Sequence, residues 1–87
     1  MDEINEKVIM GILIGKREQE AIEVQKLLTE YGCYLKTRLG LHETTENLCS
    51  SKGFIIVEFT ANCDSKIKEL EEKLNKIDDV KVRLMIF

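Results

Sequence analysis

Apolar positions in this chain switch between two spacings, and the switches mark six elements. Residues 8–14, Val-Ile-Met-Gly-Ile-Leu-Ile, are a dense β-branched and apolar run that stops at Gly15, the composition of a buried strand followed by a turn; this is β1. Over residues 17–31, Ala21, Val24, Leu28 and Tyr31 recur at helical spacing and Leu27 widens the stripe, which predicts a helix, α1. Gly32 stands where a left-handed C-cap belongs. Residues 35–41 set Leu35, Thr37, Leu39 and Leu41 against Lys36, Arg38, Gly40 and His42, the period of a half-exposed strand, β2. Residues 42–52 are rich in Glu, Thr, Asn and Ser and read as a loop.

Strand composition returns over residues 54–60 as β3. Asp64 is the predicted N-cap of a second helix, α2, with the stripe Ile67, Leu70, Leu74 and Ile77. Its outer face pairs Glu69 with Lys73 and Glu72 with Lys76, four residues apart in the favourable order. Val80, Val82, Leu84 and Ile86 then alternate with Lys81, Arg83, Met85 and Phe87 in a last strand, β4.

A shift of about 46 positions lays the α1 stripe on the α2 stripe, and Ile9, Gly11 and Leu13 on Ile55, Val57 and Phe59. Two β-α-β units of this size, joined through the β2–β3 connection, predict an α+β, ferredoxin-like β-α-β-β-α-β sandwich. Its sheet has four antiparallel strands, and right-handed crossovers place both helices on one face. Residues 1–87 form a single domain in this reading, with residues 1–6 as a flexible lead.

The alternation in β3 puts Ile55, Val57 and Phe59 under the helices, and the repeat assigns Ile9, Gly11 and Leu13 to the same side. Met10, Ile12 and Ile14, with Val8, Ile56 and Met85, then form an apolar stripe on the opposite face. The expected occupant of that stripe is another copy of the chain, so Met10, Ile12, Ile14 and Ile56 are the candidate interface residues. Lys36, Arg38, Lys81 and Arg83 are expected as a basic band on the same outer face. RNA-binding versions of this fold add exposed aromatics in a set pattern, which residues 53–59 do not match.

Charge supports that exclusion, because a net charge of -3 and a pI near 5.2 provide no bulk attraction for nucleic-acid phosphates. No apolar run approaches the roughly 20 residues of a membrane span. Acidic residues Asp2, Glu3 and Glu6 precede β1, and Gly15-Lys16-Arg17 follows it, the reverse of a secretory signal; a cytoplasmic location is expected.

Candidate chemistry is sparse. A single histidine and three cysteines without C-x-x-C spacing provide neither a nucleophile–base pair nor a disulfide framework, so no enzyme activity is expected. Gly15, Lys16 and Arg17 combine a turn, a helix N-terminus and two cations, which makes them the candidate ligand-binding residues for an anion or carboxylate. His42 and Cys49, with Glu43 or Glu46, are donor types that suit a divalent metal such as zinc, nickel or copper; no other cofactor is implied. Cys33 and Cys63, at helix ends, read as small packing residues.

Four segments in order carry a family resemblance: Arg17-Glu18, Val24-Gln25-Lys26-Leu27-Leu28, Arg38-Leu39-Gly40-Leu41, and Leu74-Asn75-Lys76-Ile77-Asp78-Asp79-Val80-Lys81-Val82. With these the chain resembles the iron-only hydrogenase system regulators, small ACT-like proteins of anaerobic bacteria similar to the regulatory domain of nickel-responsive repressors. The resemblance implies dimers or tetramers that sense a small-molecule effector, with residues 15–17 lining a site near a subunit interface. Asp78-Asp79 stands where such chains often carry a glycine. The nickel site of the repressors uses several histidines and this chain has one. No ribbon-helix-helix segment fits before β1, so transcriptional control implies a protein partner and no direct contact with nucleic acid. A metal-binding protein built on His42 and Cys49, and a purely structural oligomerisation module, are the alternative readings.

Overall fold

Four strands, β1 (Val8–Ile14), β2 (Leu35–His42), β3 (Gly53–Phe59) and β4 (Val80–Ile86), form one antiparallel sheet in the order β2-β3-β1-β4. Helices α1 (Glu18–Glu30) and α2 (Asp64–Asn75) complete the β-α-β-β-α-β sequence, and a 3-10 turn (Gly32–Tyr34) links α1 to β2. The computed structural model describes residues 7–15, 18–42 and 53–87; the predicted flexible lead and the loop after β2 lie outside them. No helix among the described residues is long and apolar enough to cross a membrane.

The core is sealed between the helices and one sheet face. Val24, Leu28 and Tyr31 of the α1 region and Ile67, Leu70 and Leu74 of α2 are buried against Ile55, Val57 and Phe59 of β3, as their spacing predicts. Burial of such side chains contributes about 1.5–3 kcal/mol each before chain entropy is subtracted. Two cations brace the helix ends: Lys73 Nζ lies 5.0 Å from the Tyr31 ring centre, and Lys66 Nζ 5.9 Å from that of Tyr34.

The face assignment of β1 is corrected. Met10, Ile12 and Ile14, expected on the outer face, are all in the core, with Met10 and Ile12 fully buried. Directly paired residues share a face, and Met10 pairs with Val57 while Ile12 pairs with Ile55. Ile9, Gly11 and Leu13 therefore face outward. The repeat misleads because it was aligned on the helices, and the β3–α2 connection is one residue longer than the β1–α1 connection. One residue reverses every side chain of a strand.

A bulge makes a second correction. The β2–β3 register shifts between Leu35 and Thr37, so Leu35 pairs with Phe59 on the helix side while Thr37 and Leu39 pair with Glu58 and Ile56 on the outer side. Arg38 pairs with Val57 and joins the helix side, which removes it from the expected basic band.

Two cap assignments also change. Gly32 has no left-handed backbone; the chain tightens into the 3-10 turn, with Tyr34 N donating to Tyr31 O at 2.9 Å. Cys63 holds the N-cap position of α2 without a side-chain cap bond, and Asp64 is the first helical residue, where its charge favours the helix dipole. Among the described residues, Asn62 (φ 60) and Asp79 (φ 63) are left-handed.

Candidate functional site

The outer sheet face is laid out in rows by the strand registers. Thr37, Glu58, Ile9 and Met85 form the first, and Leu39, Ile56, Gly11 and Arg83 the second. Phe54, Leu13 and Lys81 form the third, where β2 contributes Leu41 by register. Leu13 (41% exposed), Leu39 (50%), Phe54 (37%) and Met85 (56%) present a largely continuous apolar surface with the half-buried Ile9 and Ile56. Of the four candidate interface residues, Ile56 alone lies on this face.

Gly11 has a specific task at the centre of the surface. A Cβ there would lie 3.2 Å from Cζ of Phe54, so the aromatic ring rests across β1 where any side chain would lift it. This explains a glycine inside an otherwise bulky strand, and it keeps the face low enough for a flat contact.

Charge frames the apolar rows. Glu58 accepts an ion pair from Lys7 Nζ at 3.0 Å and a longer one from Lys36 Nζ at 3.9 Å, and the Thr37 hydroxyl donates to it at 3.4 Å. The Lys7 hydrogen bond, aided by the charges of Lys7 and Lys36, outweighs partial desolvation and holds the Glu58 carboxyl below the usual carboxylate range. Lys81 and Arg83 lie exposed on the β4 edge.

The other candidate residues are spread elsewhere. Gly15 directly follows β1 and donates its amide to Asp79 O at 2.9 Å, while Lys16 and Arg17 lie outside the described residues. His42 is the last residue of β2, paired by register with Gly53; its side chain and Cys49 lie outside the description. Among the described residues no three His, Cys, Asp or Glu side chains group as metal ligands. Cys63 is buried and its thiol donates to Thr60 O at 3.0 Å, whereas Cys33 is exposed and not the packing residue expected.

The sequence pattern does not mark Leu13, Leu39 and Phe54 as surface residues, yet all three are exposed. The signal that finds Leu13 and Phe54 is the unequal length of the two strand–helix connections, together with a β1 glycine diagonal to an aromatic of β3; Leu39 is placed by the β2 bulge, which the sequence does not mark.

A family model described as "TM1266-like: Iron-only hydrogenase system regulator, putative" matches residues 7–84. Among solved structures, protein TM1266 from Thermotoga maritima superposes with a TM-score of 0.78 at 21% identity, covering 95% of this chain and 99% of that one. A formyltetrahydrofolate deformylase from Pseudomonas putida KT2440 gives 0.62 at 17% identity; the match covers 91% of this chain and 28% of the deformylase. A protein of unknown function from Pediococcus pentosaceus ATCC 25745 gives 0.59 at 11% identity, over 98% of this chain and 94% of the other. At these identities the structures establish a common fold. No curated protein matches the chain significantly.

Proposed function

The chain belongs to the TM1266-like family, and from that premise we propose that it is a non-enzymatic regulatory module of the iron-only hydrogenase system, answering a small effector through self-assembly. The observation that carries this reading is the outer sheet face, where Leu13, Leu39, Phe54 and Met85 are exposed together. An apolar patch of this kind is costly in water and is covered when a second copy of the same face is placed on it. Charges of both signs, Glu58 on β3 and Lys81 and Arg83 on β4, let a copy approach without uniform repulsion.

The effector site in this reading is the β1–α1 junction of Gly15, Lys16 and Arg17, as the family resemblance implies. Its setting is the cytoplasm of an anaerobic bacterium, and any effect on transcription passes through a protein partner. The deformylase likeness, confined to 28% of that chain, supports a fold used as a module.

Sedimentation velocity and thermal shift, with amino acids, nucleotides and divalent metal ions added in turn, test the reading. A dimer or tetramer whose Tm and assembly respond to one organic ligand is expected. Response to metal alone would favour the His42 and Cys49 alternative, and an oligomer deaf to all additions would leave a structural module. A single-chain species under every condition would contradict the proposal.

A further inference from the structure

The helices leave one strip of their own sheet face uncovered. The buried core draws on β1, β3 and β4, and among the described residues β2 adds only the partly buried Leu35. Between α1 and this edge strand runs a groove of about 370 Å³, lined by Leu28, Thr29 and Gly32 on one side and by residues 35–38 of β2, Leu35, Lys36, Thr37 and Arg38, on the other. That volume is at the lower end of small-molecule sites.

Arg38 sets the chemistry of the groove. The bulge sends its neighbours to the other face, where Lys36 and Thr37 both engage Glu58, while Arg38 is paired with the buried Val57 and so stays on the helix side. Among the described residues Arg38 has no acidic or hydrogen-bonding partner. A guanidinium beside an apolar side chain such as Leu35, with the cation Lys36 next to it in the lining, is a receptor for a planar or tetrahedral anion, because its fork of N–H donors matches two oxygens at once.

We propose that this groove binds a small organic anion, its carboxylate or phosphate on Arg38 and its short apolar body against the partly buried Leu35. The site is at the C-terminal end of α1, away from the β1–α1 junction, and stands independently of the self-assembly reading.

The test is an amide NMR titration of the intact protein with hexanoate, hexyl phosphate and hexylamine. Saturable shifts of the Thr29, Gly32 and Arg38 amides with either anion, and none with hexylamine, are expected; the anion that acts alone or more tightly identifies the headgroup. Acetate should bind at least tenfold more weakly than hexanoate if hexanoate is the ligand. Arg38→Gln, an exposed substitution, should weaken binding at least tenfold while leaving distant amides in place. Absence of saturable shifts, equal response to hexylamine, or unchanged binding by Arg38→Gln would overturn the proposal.

Discussion

The carboxylate of Asp79 lies directly over the α-carbon of Gly15, and the Gly15 amide donates to the Asp79 carbonyl at 2.9 Å. The two residues tie the end of β1 to the turn before β4, and each restricts the other. Asp79 is left-handed (φ 63), a conformation that glycine adopts without a Cβ penalty, and Gly15 has no space for a Cβ while Asp79 is present.

Gly15→Ala should therefore destabilise the protein by about 1–3 kcal/mol through overpacking, whereas Asp79→Gly should cost nothing or add stability. In the double variant the alanine should be tolerated at a cost below about 1 kcal/mol. Urea unfolding of all four proteins measures the coupling. Additive effects would show that the contact is not what excludes the alanine.

Ile12→Asp should abolish folding, because it places a carboxylate in the core at a position of 0% exposure. The penalty of several kcal/mol rivals the total stability of a small domain. Ile12→Val should cost only about 0.5–1.5 kcal/mol. Far-UV circular dichroism distinguishes the two, and a folded Ile12→Asp protein would contradict the face assignment.

Glu58 makes stability depend on acid. Its folded-state pKa is lowered, chiefly by the Lys7 hydrogen bond, so its contribution is present above the ordinary value of 4.5 and is lost as pH falls through the lowered folded value. Glu58→Gln should flatten the stability profile below pH 4.5. Chemical denaturation at stepped pH reads this; an unchanged acid slope would mean that the Lys7 pair exerts no pull.

Gly11→Val should push the Phe54 ring off β1 and cost about 1–3 kcal/mol, with most of the loss recovered in a Gly11→Val, Phe54→Leu double variant. Ring-proton chemical shifts of Phe54 report the displacement directly.

The element order was legible because each helix announces itself by a stripe and each strand by a run or an alternation. Ile55, Val57 and Phe59 were placed correctly because Glu58 and Thr60 mark the wet side of β3. The side taken by Met10, Ile12 and Ile14 is not legible, because β1 is apolar on both faces and its own pattern has no parity, while the parity of β3 carried over through the helix repeat is off by one residue. The bulge between Leu35 and Thr37 has no composition signal, and it alone moves Arg38 across the sheet. At Asp79 a non-glycine residue takes a left-handed conformation that its residue type does not announce.

If the outer sheet face joins copies of this chain, as proposed, sedimentation equilibrium of wild type beside a Leu39→Lys, Met85→Lys double variant should reveal it. Both substituted positions are at least half exposed, so the variant should keep the wild-type circular dichroism. Wild type should sediment at a multiple of the 10.1 kDa chain mass and the variant at the single-chain mass. Equal masses for the two proteins would contradict it.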